Sequence, residues 1–165
     1  MRIGRKVTIK AIQVRGNIFL EQADNMGAGQ SEAYTGRIML IWDSQPNGTA
    51  ASAADIWAVP GTPHSYLNLD SRDRFKVLRS EAWSFDPILI SSVATQSVAA
   101  WNRTNYCFEW YLRNVNLDVI FNGTNGGTIA DIVSGALLMA FLSDTGADLT
   151  DVQARWISRV RFEDD

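Results

Sequence analysis

The side chains able to do covalent chemistry are few in this sequence. His64 is its one histidine and Cys107 its one cysteine. A Ser- or Cys-based nucleophile therefore has no evident base to activate it, and no Cys/His cluster exists to hold zinc. His64 lies in GTPHSY, a proline-containing turn, and reads as structural or solvent-facing. Asp55, Asp70, Asp73 and the carboxylates from Glu163 to Asp165 could serve as acids or bases, but a sequence gives no separations from which to assign those roles. The terminal EDD reads as a solvated tail. DTGADLTD at 144–151 gathers three carboxylates in a loop without the spacing of an EF-hand. We expect no catalytic residue, no metal and no cofactor. Asn47-Gly-Thr, Asn102-Arg-Thr and Asn122-Gly-Thr fit a glycosylation sequon, yet Asn-Gly is also what a tight turn selects. The start, MRIGRKVTIK, lacks the apolar block of a secretory signal.

Cationic chemistry is better supplied. The formal net charge is −3, but Arg2, Arg5, Lys6, Lys10 and Arg15 precede the first acid, Glu21, so the remaining ten cations face all eighteen acids. An acidic body with a basic leading edge suits a polyanion held on one side, although a cationic edge strand kept soluble by its charge has the same composition. LDSRDRFKVLRS, residues 69–80, adds Arg72, Arg74, Lys76 and Arg79. In VQARWISRVRFE, Arg155, Arg159 and Arg161 share one parity, opposite to Trp156, Val160 and Phe162. Six tryptophans, Trp42, Trp57, Trp83, Trp101, Trp110 and Trp156, could stack bases or sugars, or fill a core and a subunit contact.

These side chains must be positioned by strands. With 165 residues, 46% apolar and 20% charged, the chain fits one soluble globular domain, and no apolar run is long enough to span a membrane as a helix. RKVTIKAIQVRGNIFL alternates with one change of parity, which predicts a long strand with a bulge near Ala11 and Ile12. TGRIMLIWD, DRFKVLRSEAWSF, FEWYLRNVNLDVIF (slipping near Arg113 to Val115), GALLMAFLS and VQARWISRVRFE read as further strands, GALLMAFLS as a buried one. ASAADIWAV predicts a short helix capped by Ser52, and 87–104 reads as irregular. The predicted fold is all-β, a sandwich or jelly roll in one domain.

The order and spacing of these segments resemble the coat proteins of geminiviruses and related small circular single-stranded DNA viruses. The sharpest piece is Asp73-Arg74-Phe75-Lys76-Val77-Leu78-Arg79, similar to that family's Asp-Arg-aromatic-x-Val-Leu-basic run, with WDSQPNG and GALLMAF in support. The resemblance implies a single eight-stranded jelly roll over 1–165, in two four-stranded antiparallel sheets with long loops. It implies self-assembly into a small icosahedral shell around circular single-stranded DNA, no membrane partner, and a place in the virion and, during assembly, the host nucleus. In a jelly roll the first and last strands lie side by side, so Arg2, Arg5, Lys6, Lys10, Arg155, Arg159 and Arg161 are the expected DNA contacts, holding phosphate without reading bases. Arg72, Arg74, Lys76 and Arg79 are expected at a subunit contact or the DNA, and Trp57, Tyr66, Trp83 and Trp101 at subunit interfaces. That family usually carries a long Arg/Lys-rich arm before the first strand, whereas this sequence begins almost at the strand, so the arm is expected to be trimmed, absent from this protein or outside the ordered part. Two other classes fit an all-β chain: a carbohydrate-binding jelly roll, on the tryptophans, and a cupin-like enzyme, which one histidine serves poorly.

Overall fold

Alternation over Lys6–Leu20 produces the long first strand, β1. The computed structural model describes residues 5–20, 34–46, 48–85, 87–90, 98–101, 105–123, 128–144 and 152–164; for residues 20, 87–90 and 98–101 it describes the backbone alone. Eight further strands follow among the described residues: β2 (Tyr34–Asp43), β3 (Phe75–Phe85), β4 (Pro87–Ile90), β5 (Val98–Trp101), β6 (Asn105–Phe121), β7 (Ile132–Ser134), β8 (Ala136–Ser143) and β9 (Val152–Asp164). A short α-helix, α1 (Ala53–Ile56), starts where expected: the Ser52 hydroxyl accepts from the Asp55 amide and the Asp55 carboxylate accepts from the Ser52 amide.

All strand pairing described is antiparallel, in a four-stranded sheet of order β7-β6-β1-β9 and a three-stranded sheet of order β3-β2-β8. Among the described residues the two principal sheets thus hold seven strands where eight were expected. A separate hairpin, β4 with β5, occupies much of 87–104, the stretch expected to be irregular. Short runs such as PILI carry too little alternation to be told from loop.

The parity change in β1 is a bulge at Lys10: the register runs Ile9↔Phe162 and then Ala11↔Arg161 on one side, and Ile9↔Leu117 and then Ala11↔Arg113 on the other. One extra residue lets Ile9 and Ile12 both point inward. The slip in β6 is sharper, because Asn114 (φ 55°) and Asn116 (φ 46°) adopt the left-handed conformation that asparagine tolerates best after glycine.

Two apolar clusters follow. Between the sheets lie Ile12, Val14 and Ile18 of β1, Phe108 and Trp110 of β6, and Ile38, Leu40, Trp83 and Phe85 of the other sheet. On the far side of the three-stranded sheet, the 44–74 connection lays Ile56 and Trp57 over Met39, Ile41 and Phe75. GALLMAFLS forms the half-buried edge strand β8, with Ala136 and Leu142 its buried residues. Glu81 of β3 ties the layers together by accepting the Tyr106 hydroxyl and, at 2.6 Å, the Trp110 indole N–H, both from β6. At the end of β2, Asp43 is fully buried and receives Arg74 Nε and Nη2, both at 2.8 Å.

Candidate nucleic-acid interface

The outer face of the four-stranded sheet is built by the alternation that fills the core. Because Ile12, Val14 and Ile18 point inward, Ala11, Gln13, Arg15, Asn17 and Phe19 point outward, and the register sets Arg161 beside Ala11, Arg159 beside Gln13 and Arg155 beside Asn17. On the other flank β6 places Arg113 beside Ala11, Tyr111 beside Gln13 and Glu109 beside Arg15. Lys6 and Lys10 complete the face at the bulge end. Pairing of β1 with β9 therefore merges the cations of two strands that lie far apart in sequence.

The cations divide into two groups. Lys6 pairs with Asp118 at 3.1 Å, Lys10 with Glu163 at 3.1 Å and Arg15 with Glu109 at 2.7 Å. These are exposed pairs of small energetic weight, but they cancel charge at the rim. The Thr8 hydroxyl, at 2.7 Å, and then Lys6 hold the Asp118 carboxyl below its ordinary value. Arg113, Arg155, Arg159 and Arg161 have no carboxylate in ion-pair range among the described residues. Arg113 lies over the Tyr111 ring and Arg155 over the Phe19 ring, each 4.7 Å from the centroid, where stacking fixes a guanidinium without neutralising it. The arginines line shallow depressions: one of about 350 Å³ between Ala11, Gln13, Tyr111, Arg159 and Arg161, and one of about 420 Å³ that includes Lys10, Arg113, Asn114, Arg161 and Glu163. Open, cationic and aromatic-bearing, this surface suits an extended phosphate chain with stackable bases.

Tyr111 and Arg113 were not among the residues singled out from sequence. Their signal is the spacing of two on one strand, obscured by the slip at Asn114 and Asn116, which left the faces of that strand unassigned. Of the residues singled out, Lys6, Lys10, Arg155, Arg159 and Arg161 come together on this face. The Arg5 guanidinium lies instead against Gly123, at the end of the sheet. Arg2 is outside the described residues.

The charged run at 69–80 splits up. Arg74 is committed to Asp43 and lies over the Phe75 ring, so its guanidinium closes the β2–β3 junction rather than facing a partner. Arg72, Lys76 and Arg79 are exposed. The tryptophans separate likewise. Trp57 is 5% and Trp83 3% exposed within one subunit, so both fill its core and cannot anchor a neighbour or stack a sugar as expected. Their apolar neighbours are brought by the long 44–74 connection and by Phe85 and Phe141, contacts that no local pattern reveals. Tyr66 is 86% exposed and remains available. Trp101 lies in β5, and its side chain is outside the described residues. Asn122, a sequon residue, donates to the Ala130 carbonyl at 3.1 Å within its turn, while Asn47, Asn102 and 145–151 of the acidic loop fall outside the described residues.

The family model described as the geminivirus coat protein/nuclear export factor BR1 family matches residues 1–165. The chain belongs to that family. Among its relatives, the capsid protein of Tomato pseudo-curly top virus is 26% identical over 145 residues, covering 82% of this chain and 58% of the relative. The chain thus spans somewhat over half the length of the curated relative it matches. As a geminivirus coat family member it is similar to proteins of a single-stranded DNA virus, and its nearly all-β build is consistent with a jelly roll.

Proposed function

We propose that this chain is a viral coat subunit that assembles with copies of itself into a closed icosahedral shell around circular single-stranded DNA. The observation that carries the reading is the pairing of β1 with β9, which joins Lys6, Lys10, Arg155, Arg159 and Arg161 on one open sheet face. Nested pairing of the first strand with the last, and of β2 with β8, is the arrangement on which an eight-stranded jelly roll rests. In the shell this face turns inward, with Arg113 and Tyr111 of β6 as further contacts. Phosphates are neutralised without base reading, so packaging is sequence-tolerant and weakens with salt. Tyr66, Arg72, Lys76 and Arg79, exposed on the long connection and on β3, serve contacts between subunits or reach the DNA. The virion, and the host nucleus during assembly, are the corresponding locations.

Negative-stain imaging of purified chain with and without single-stranded DNA tests this, read together with nuclease-protected nucleic acid and the absorbance ratio of the particles. The expected result is closed particles carrying protected DNA. A chain that stays monomeric across pH, salt and concentration overturns the reading.

A further inference from the structure

The strand that carries three of the arginines is also the edge of its sheet. β9 runs thirteen residues, Val152–Asp164, with β1 on one side, and no other strand is described beside its outer edge. Natural edge strands are usually kept short, bulged or interrupted by proline so that they do not recruit another strand. β9 is neither short nor interrupted, with no proline or glycine and with the bulge in its pairing belonging to β1, so its protection is the charge of Arg155, Arg159 and Arg161, which a partner offering a facing carboxylate neutralises. Its inward parity is uncovered as well. Trp156 is 42%, Val160 37% and Phe162 61% exposed, and an apolar depression of about 390 Å³ opens between Val7, Ile9, Val119, Phe121, Val160 and Phe162.

We infer that β9 pairs with β9 of a second copy, antiparallel about a two-fold axis through Arg159. The side chains select both the occupant and the register. A two-fold axis centred on a residue keeps the two basic faces on one side and the two apolar faces on the other. Centred on Arg159, it sets Arg155 opposite Glu163 of the second copy, twice, and Trp156 opposite Phe162, twice. Moving the centre by one residue either way sets Arg155 or Arg159 against Arg161, twice, which like charges disfavour. Glu163 can serve: it is 66% exposed and holds Lys10 through Oε2, which leaves Oε1 for the incoming guanidinium.

The product is one eight-stranded sheet, from two four-stranded ones, with a continuous basic face formed by Arg155, Arg159 and Arg161 of both copies. At its centre Arg159 meets its own counterpart, a repulsion that an anion between them relieves. Phosphate therefore binds more tightly to the pair than to either copy alone, and nucleic acid strengthens the pairing by linkage. The choice of a second copy rests on the coat-subunit reading.

Charge-swapped variants test it. Arg155→Glu sets carboxylate against carboxylate at both ends of the seam, and Glu163→Arg sets guanidinium against guanidinium, so each variant alone is expected to self-associate roughly tenfold more weakly or worse. Mixed together, the two variants pair opposite charges at one end of the seam through the substituted side chains and at the other through the native ones, and a one-to-one pair forms in sedimentation equilibrium. As an independent arm, Arg159→Cys in a Cys107→Ser chain, otherwise wild type at the edge, should oxidise to a disulfide dimer. A mixture no more associated than either variant alone, or an Arg159→Cys chain that fails to cross-link, overturns the inference. Particles that still form under those results leave the coat reading standing and place the contact elsewhere. A wild-type chain that never associates removes both.

Discussion

Replacing Arg74 with alanine separates two roles for the most charged stretch of the sequence. Asp43 is 1% exposed at its side chain and Arg74 21%; the guanidinium supplies two of the carboxylate's hydrogen bonds, and the Gln45 amide, at 3.0 Å, supplies a third. In Arg74→Ala the carboxylate keeps only the Gln45 amide of these three donors. Breaking a buried pair from one side costs about 3–5 kcal/mol. Since a fifth of Arg74 is in water, we expect about 2–3 kcal/mol. At a urea m-value of about 1–3 kcal/mol per molar, the unfolding midpoint falls by about 0.7–3 M. Lys76→Glu, exposed two residues on, should move stability by less than about 0.5 kcal/mol. Urea unfolding followed by tryptophan fluorescence, under conditions where the chain is not assembled, reads both. If Arg74→Ala unfolds at the wild-type midpoint yet abolishes particles, the side chain belongs to a subunit contact and the assignment to Asp43 as its main role is refuted.

Three further outcomes follow from the layers themselves. Glu81→Leu strands the Trp110 indole N–H at the sheet interface and removes the Glu81 acceptor from the Tyr106 hydroxyl, and should cost about 1–3 kcal/mol, measured by thermal unfolding; a neutral substitution would show that the cross-sheet link carries no stability. Gly36→Ala drives a methyl group into the Trp83 ring and the Leu142 carbonyl, neither of which can yield cheaply, so a loss of about 1–3 kcal/mol is expected, and an unchanged melting temperature would contradict that packing. Asp118, and Asp55 through its hydrogen bonds from Ser52, have carboxyls lowered from 3.8, so the native state gains stability from them above that value and loses it as pH falls through their lower folded values. Denaturation midpoints of wild type and Asp118→Asn should therefore differ above about pH 4 and converge below it; a gap that persists into strong acid would contradict the Thr8 and Lys6 contacts.

Strand positions were legible wherever alternation is long. β1, β2, β3, β6 and β9 are written in residues such as Ile12, Val14 and Ile18, whose period of two survives the bulge, and even the bulge was visible as a change of parity one residue from Lys10. β4 and β5 were not legible, because four-residue runs hold too few repeats. The basic face was legible as two separate stripes. Their junction came from the resemblance, since pairing across more than a hundred residues leaves no trace in local pattern. Burial of the tryptophans was the least readable feature: Trp57 and Trp110 look alike in sequence, but Trp57 ends α1 on the 44–74 connection and packs on the far side of the three-stranded sheet, whereas Trp110 of β6 lies between the sheets. Arg74 carried the same ambiguity, because only the fold brings Asp43, at the end of another strand, to its guanidinium.

The salt dependence of single-stranded DNA binding tests most directly whether the joined face of β1, β6 and β9 holds nucleic acid. Each phosphate neutralised on a single strand contributes about −0.7 to the slope of log K against log salt, so the four arginines Arg113, Arg155, Arg159 and Arg161 account for about −2.8. Fluorescence titration of oligo-dT across a salt series should find that Arg159→Ala combined with Arg161→Ala flattens the slope by about 1.4, with similar loss for all base compositions. An unchanged slope and affinity in that double variant would contradict the account.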